Sequence, residues 1–127
     1  MIWMLFILLL SFQETPQKPK DLIWKYRVLI IQGKNEPKLF EETLKAEIEE
    51  RKLALFWFSE GKLEKTTYPN RIEEASFLSL IQENERWILI GLDGGKKAFG
   101  VEYPDFETLK KIIDSMPMRR LERSRNG

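Results

Sequence analysis

The sequence predicts an α/β fold: a four-stranded mixed sheet with helices on both faces. Three observations predict it. Arg27 to Gln32 and Leu53 to Phe58 are short runs apolar on both faces, as strands are when helices cover a sheet from either side. Between and after them, apolar residues recur at helical spacing. Asp93-Gly94 then separates two more strand-like runs and is a strong hairpin signal. A chain of 127 residues is long enough for one domain around one hydrophobic core.

Taken in order, Val28, Leu29, Ile30 and Ile31 form the first strand, which ends at Gly33. Asn35 is placed to cap a helix running to about Arg51, with Pro37 in its first turn. Leu39, Phe40, Leu44 and Ile48 make its apolar stripe, while Glu41, Glu42, Lys45 and Glu49 face water. Leu53 to Phe58 is the second strand, closed by the turn signal Glu60-Gly61. Asn70 opens the next helix, with Glu73 three residues on as in a capping box. Ile72, Ala75, Leu78 and Ile81 line that helix, and Asn84 stops it. Trp87 to Leu92 and Gly95 to Val101 are the hairpin strands. Asp105 caps a last helix with Phe106, Leu109, Ile112, Ile113 and Met116 on one face, and Pro117 ends it. The order β-α-β-α-β-β-α matches the minimal thioredoxin-like fold, an analogy that says nothing by itself about activity.

The two ends of the chain differ from its middle. Every charged side chain lies at Glu14 or later, and Met1 to Leu10 is unbroken apolar sequence. A hydrocarbon core of about 30 Å needs about 20 apolar residues in a helix, so this run predicts no stable membrane span. It fits the apolar centre of a signal peptide over residues 1–13, and hence an exported, periplasmic or secreted protein. An uncleaved element of an intracellular protein is the alternative. Residues 14–21, with Pro16 and Pro19, read as a polar leader. Residues 22–118 read as the folded domain and 119–127 as a basic tail. From Met116 onward, Arg119, Arg120, Arg123 and Arg125 face only Glu122, a net charge of +3 set against −2 for the remainder.

Four stretches carry a resemblance to a known family. Trp24-Lys25-Tyr26-Arg27-Val28-Leu29-Ile30-Ile31 leads into the first strand, and Glu50-Arg51-Lys52-Leu53 into the second. Gly91-Leu92-Asp93-Gly94-Gly95-Lys96-Lys97 forms the hairpin, with Leu92 where the family usually has Lys. The most specific is Ile113-Asp114-Ser115-Met116-Pro117-Met118-Arg119-Arg120. Over about Leu22 to Arg120 the chain resembles the domain-of-unknown-function family 4174 of bacterial and extracellular proteins. The resemblance implies a thioredoxin- or peroxiredoxin-like fold, an exported location and no assigned activity. Related domains in extracellular-matrix proteins imply a non-catalytic role.

The residue inventory restricts chemistry more sharply. The chain has no cysteine and no histidine. Disulfides, thiol redox centres, thiolate nucleophiles, zinc-thiolate sites and Ser-His-Asp triads are therefore excluded. The strand-helix junction where thioredoxin-like enzymes place a thiolate reads Gly33-Lys34-Asn35-Glu36. An anion site at Lys34 and Asn35 is the sharper reading of that junction, and an ordinary capped turn is the plainer one. Gly94-Gly95-Lys96-Lys97 lacks phosphate-loop spacing, and adjacent carboxylates such as Glu41-Glu42 do not share a proton site. The aromatics read as core, so nucleic-acid binding is not expected. No cofactor or metal is predicted. The reading is a non-catalytic binding module for a protein or envelope component, with Met116, Met118, Arg119 and Arg120 as candidate contacts. The alternatives are that Arg119 and Arg120 pair with acids on the body, or that the protein is an enzyme of unassigned non-thiol chemistry.

Overall fold

The computed structural model describes residues 15–126. The expected signal peptide over residues 1–13 lies outside the described residues. The sheet has five strands: β1 (Arg27–Gln32), β2 (Leu53–Ser59), β3 (Lys62–Thr66), β4 (Trp87–Ile90) and β5 (Lys96–Gly100). Their order is β3-β2-β1-β4-β5. β1 and β2 are parallel, and the other neighbours are antiparallel. Four helices follow the chain: α1 (Lys45–Glu50), α2 (Glu74–Leu78), α3 (Phe106–Asp114) and α4 (Pro117–Asn126).

Alternation along β1 divides the core in two. Val28 and Ile30 join Phe56, Phe58, Phe77 and Ile88 on one face. Leu29 and Ile31 join Leu55, Leu89, Leu109 and Ile113 on the other. The expected two-faced burial of the central strands is therefore met. Each such aliphatic side chain contributes about 1.5–3 kcal/mol on leaving water.

A fifth strand corrects the expected four. Glu60 and Gly61 both have positive φ, at 51° and 78°. Between the paired residues Ser59 and Lys62 this is the backbone of a tight two-residue hairpin, so the turn returns the chain as β3 instead of closing β2. β3 is Lys-Leu-Glu-Lys-Thr, charged as edge strands are when they resist further pairing, and its alternation is too weak to announce itself.

The helix expected from Asn35 to Arg51 is broken. Pro37 precedes a 3-10 turn over Lys38–Phe40, Glu41 is extended (ψ 140°), and a second 3-10 turn covers Glu42–Leu44 before α1 begins. This path still delivers Leu39, Phe40, Leu44 and Ile48 to the core. Asn70 does not open a helix either. Ile72 bridges Gln17, and α2 starts at Glu74 with no side-chain cap. Its buried anchor is Phe77, while Ala75 faces water. The bridge and the 3-10 turn Pro19–Leu22 also make the polar leader an ordered part of the domain.

Asp105 caps α3 as expected, accepting the Glu107 N–H. α3 stops at Asp114, two residues before the expected end, and Pro117 begins a new helix rather than a tail. Proline suits a first helical position because the N–H it lacks would be unpaired there in any case. Residues expected as a basic tail thus fold back as α4. Among the described residues no helix is long and apolar enough to cross a membrane.

Candidate functional site

Open α/β sheets offer ligands the crevice beyond the C-terminal ends of their parallel strands. Here β1 runs into Gly33-Lys34-Asn35-Glu36, which is irregular and leads to Pro37. The anion site expected at Lys34 and Asn35 therefore lacks the helix whose free N–H groups would form it. The Asn35 N–H donates to the Tyr103 hydroxyl at 2.7 Å, and Asn35 caps nothing. Tyr103 fills this end of the sheet. A Cβ on Gly33 would stand 2.3 Å from the Tyr103 hydroxyl, and the Arg86 guanidinium lies 5.4 Å from the ring centre. The Gly33 carbonyl accepts the Trp57 indole N–H at 2.8 Å, and its own N–H donates to the Phe58 carbonyl at 3.0 Å.

A shallow cavity of about 380 Å³ remains beside this plug, lined by Lys34, Glu60, Glu83, Glu85 and Arg86 among others. Its buried carboxylate is already committed. Glu85 accepts from the Lys96 ammonium and from the Gln82 N–H, and these two bonds hold it below the usual carboxylate range. The Gln32 amide donates to the Gln82 and Glu85 carbonyls at 2.8 and 2.6 Å. Lys34 is exposed and has no ion pair among the described residues.

At the opposite end of the sheet three arginines are buried: Arg27, Arg51 and Arg119, with exposures of 0, 4 and 1%. Asp114 joins two of them. Arg51 grips it with two bonds of 3.1 Å, and the Arg119 Nε donates to the same carboxylate at 3.1 Å. Arg119 also reaches Glu50 at 2.9 Å, and Arg27 donates to Glu122 at 3.0 Å and to the Arg51 carbonyl at 2.7 Å. Burial alone would raise the Asp114 pKa. The hydrogen bonds and charges of Arg51 and Arg119 outweigh it and hold the group below its ordinary value. Glu50 is lowered by its hydrogen bond from Arg119 and by the charge of that guanidinium.

The candidate contact residues therefore divide. Arg119 is consumed inside, pairing with acids on the body as the plainer reading had it. Met116 is half-buried against the core. Met118 and Arg120 face water on α4, beside Leu121, Arg123 and Arg125. The sequence did not reveal that Arg27 and Arg51 are buried beside Arg119, nor that Pro117–Asn126 forms a helix with an outward face. The signal for the first two was an arginine at the start of β1 and one just before β2, where a charged residue abuts an apolar run.

A separate groove of about 860 Å³ runs between α1 and the β2–β3 edge, with Tyr26, Leu39, Phe40, Ile48 and Leu53 in its wall. Lys25, Lys45, Lys52 and Lys65 line it together with Glu41, Glu42 and Glu49. The carboxylates held below their usual range, Glu50, Glu85, Asp93 and Asp114, all lie outside that lining. Among the described residues no group of three or more carboxylates is placed to hold a metal ion.

Fold and site together define an α/β domain with a mixed five-stranded sheet and a buried arginine–carboxylate network at one end. The chain belongs to the family described as a domain of unknown function, DUF4174, matched over residues 19–122. No curated protein and no solved structure shows significant similarity to it.

The network sets a stability prediction. Asp114→Ala leaves Arg51 and Arg119 buried without their shared acid, and urea denaturation is expected to show a loss of about 3–5 kcal/mol, whereas exposed Arg120→Ala changes stability by about 0.5 kcal/mol or less. A depressed folded-state pKa means that the contribution is complete above the unfolded value, 3.8 for Asp114, and is lost as pH falls through the lower folded value. Stability of the wild type should thus drop below about pH 4, and Asp114→Asn should flatten that drop. The plug sets another. Gly33→Ala is expected to push the part-exposed Tyr103 ring aside and break its hydrogen bond with the Asn35 N–H, at a cost of about 0.5–1.5 kcal/mol in the wild type and distinctly less in a Tyr103→Ala background. Equal costs in the two backgrounds would show that Tyr103 does not press on Gly33.

Proposed function

We propose that this chain is an exported, thioredoxin-like domain that acts as a non-catalytic binding module. Removing the β3 hairpin leaves the order β2-β1-β4-β5, with β1 and β2 parallel, which supports the thioredoxin-like reading. The junction after β1 holds Lys34 and Asn35 in place of a cysteine, and Tyr103 occupies the space beside it. The apolar run before Glu14 supports export.

The observation that carries the binding role is α4. It is a short polar helix fastened by buried ion pairs through Arg119 and Glu122, yet it displays Met118 and Leu121 to water, 43 and 51% exposed. A rigid helix with apolar and arginine side chains outward is suited to contact, because little ordering entropy remains to be lost on binding. The contact surface is the outer face of α4, from Met118 through Arg120 to Arg125.

Two measurements test this. The intact mass of the protein recovered from the cells that make it should be lower by about 1.6 kDa, the residue mass of residues 1–13. Cross-linking to envelope material should be lost in Met118→Ala plus Arg120→Ala and kept in Lys34→Ala. Full-length mass would remove the export reading, and loss with Lys34→Ala alone would move the site to the β1 end.

A further inference from the structure

We infer that the end of the domain carrying α4 docks on an anionic lipid surface, an inference that rests on the binding-module reading and names its partner. Glu122, Asp114 and Glu50 are engaged by Arg27, Arg51 and Arg119, three against three. These three acids are thereby committed to the buried arginines. What remains outside is positive. Arg120, Arg123 and Arg125 on α4 are exposed and have no ion pair among the described residues.

Lys25 and Lys52 extend the same end. The Lys52 carbonyl accepts the Arg27 N–H at 2.7 Å, while the Arg27 side chain bonds Glu122 of α4. Lys25 and Lys52 lie two and one positions from buried arginines, and both are exposed without an ion pair among the described residues. The groove that Lys25 and Lys52 line also holds the exposed Glu41, Glu42 and Glu49, so the least opposed positive charge is that of the three α4 arginines. Basic side chains close to an anionic bilayer add to one another, so a cluster of them makes a salt-sensitive attraction.

Charge alone would suit any polyanion, and the apolar side chains choose among them. Trp24 is 62% exposed, at φ 69°, in the loop that leads to Lys25 and β1. Its backbone N–H is tied to the Leu92 carbonyl at 2.7 Å, which fixes the loop. Met118 and Leu121 are neighbours on the outer side of α4, one turn apart. An exposed tryptophan and two exposed aliphatics among cations are the composition of an interfacial contact, in which apolar side chains enter the headgroup boundary and cations meet phosphates. An acidic polypeptide would use the cations and leave these side chains in water.

Flotation of the full chain on vesicles tests the inference. One set is phosphatidylcholine alone, and the other is equal parts phosphatidylcholine and phosphatidylglycerol. The readout is the difference between the two sets. Binding at low salt is expected to be about tenfold or more greater on the phosphatidylglycerol vesicles, and to fall to the phosphatidylcholine level at high salt. The variant with Arg120→Glu, Arg123→Glu and Arg125→Glu should abolish the difference. Lys25→Glu with Lys52→Glu, which leaves α4 intact, should reduce it several-fold. Circular dichroism identifies any variant that has lost its fold. Equal binding to the two vesicle sets overturns the inference, as does a difference that survives both charge reversals or a tighter hold on polyglutamate than on phosphatidylglycerol. If the vesicle difference is absent while Met118→Ala plus Arg120→Ala still abolishes envelope cross-linking, the binding-module reading stands and the lipid partner falls.

Discussion

Asp114 sits where three parts of the chain must meet. It ends α3, accepts two bonds from the arginine just before β2, and accepts one from the arginine that fastens α4. A buried carboxylate and buried guanidiniums are each costly to desolvate, by several kcal/mol per ion, and their mutual attraction returns roughly what that costs. Such a network therefore adds little net stability over an apolar core of the same volume. What it imposes is geometry. An aliphatic contact tolerates a shift of an ångström, whereas a carboxylate shared by two guanidiniums does not.

That constraint propagates through the sheet. The Arg27 N–H and side chain bond to the carbonyls of Lys52 and Arg51, so β1 and β2 begin at the same level. Side chains alternate faces along a strand, and a slip of one residue would exchange the two halves of the core. The same buried end seats α4, because Arg119 and Glu122 find partners only where Glu50, Asp114 and Arg27 present them. A helix of this composition has no apolar face wide enough to hold it by packing. It is held by charge.

The legible parts of the fold were those whose signal is apolar or a cap. β1, β2 and β4 are unbroken apolar runs, β5 follows an Asp-Gly turn, and α3 begins at a capping aspartate. β3 stayed hidden because an edge strand shows one half-buried leucine among charges. The interruption at Glu41 stayed hidden because the apolar spacing around it is still helical, and only the backbone reveals the extended residue. Pro117 has two opposite meanings in a sequence, a stop for one helix and a start for another, and nothing in the spacing distinguishes them. For the candidate site, Met118 and Arg120 were placed on an exposed surface as expected. Arg119, one residue away, pairs with acids on the body, the alternative the sequence left open because a buried arginine and a solvated one look alike there. Lys34 and Asn35 depended on a helix that does not begin there.

The stretches that carry the family resemblance converge on this network. Arg27 comes from the first, Glu50 and Arg51 from the second, and Asp114 and Arg119 from the last. Regions far apart in the chain are thus one object in space, and that object is interior. It follows that these motifs describe how the domain is assembled more than what it meets. The outward-facing residues interleaved with them are where a partner would be distinguished: Lys25 and Lys52 beside the buried arginines, Met118 and Arg120 on either side of Arg119. The two sets are coupled through charge. Because Glu50, Asp114 and Glu122 are engaged by the three buried arginines, Arg120, Arg123 and Arg125 stand on the outside of α4 without ion pairs among the described residues. The overall charge of +1 therefore coexists with a set of arginines displayed together on the outer face of α4.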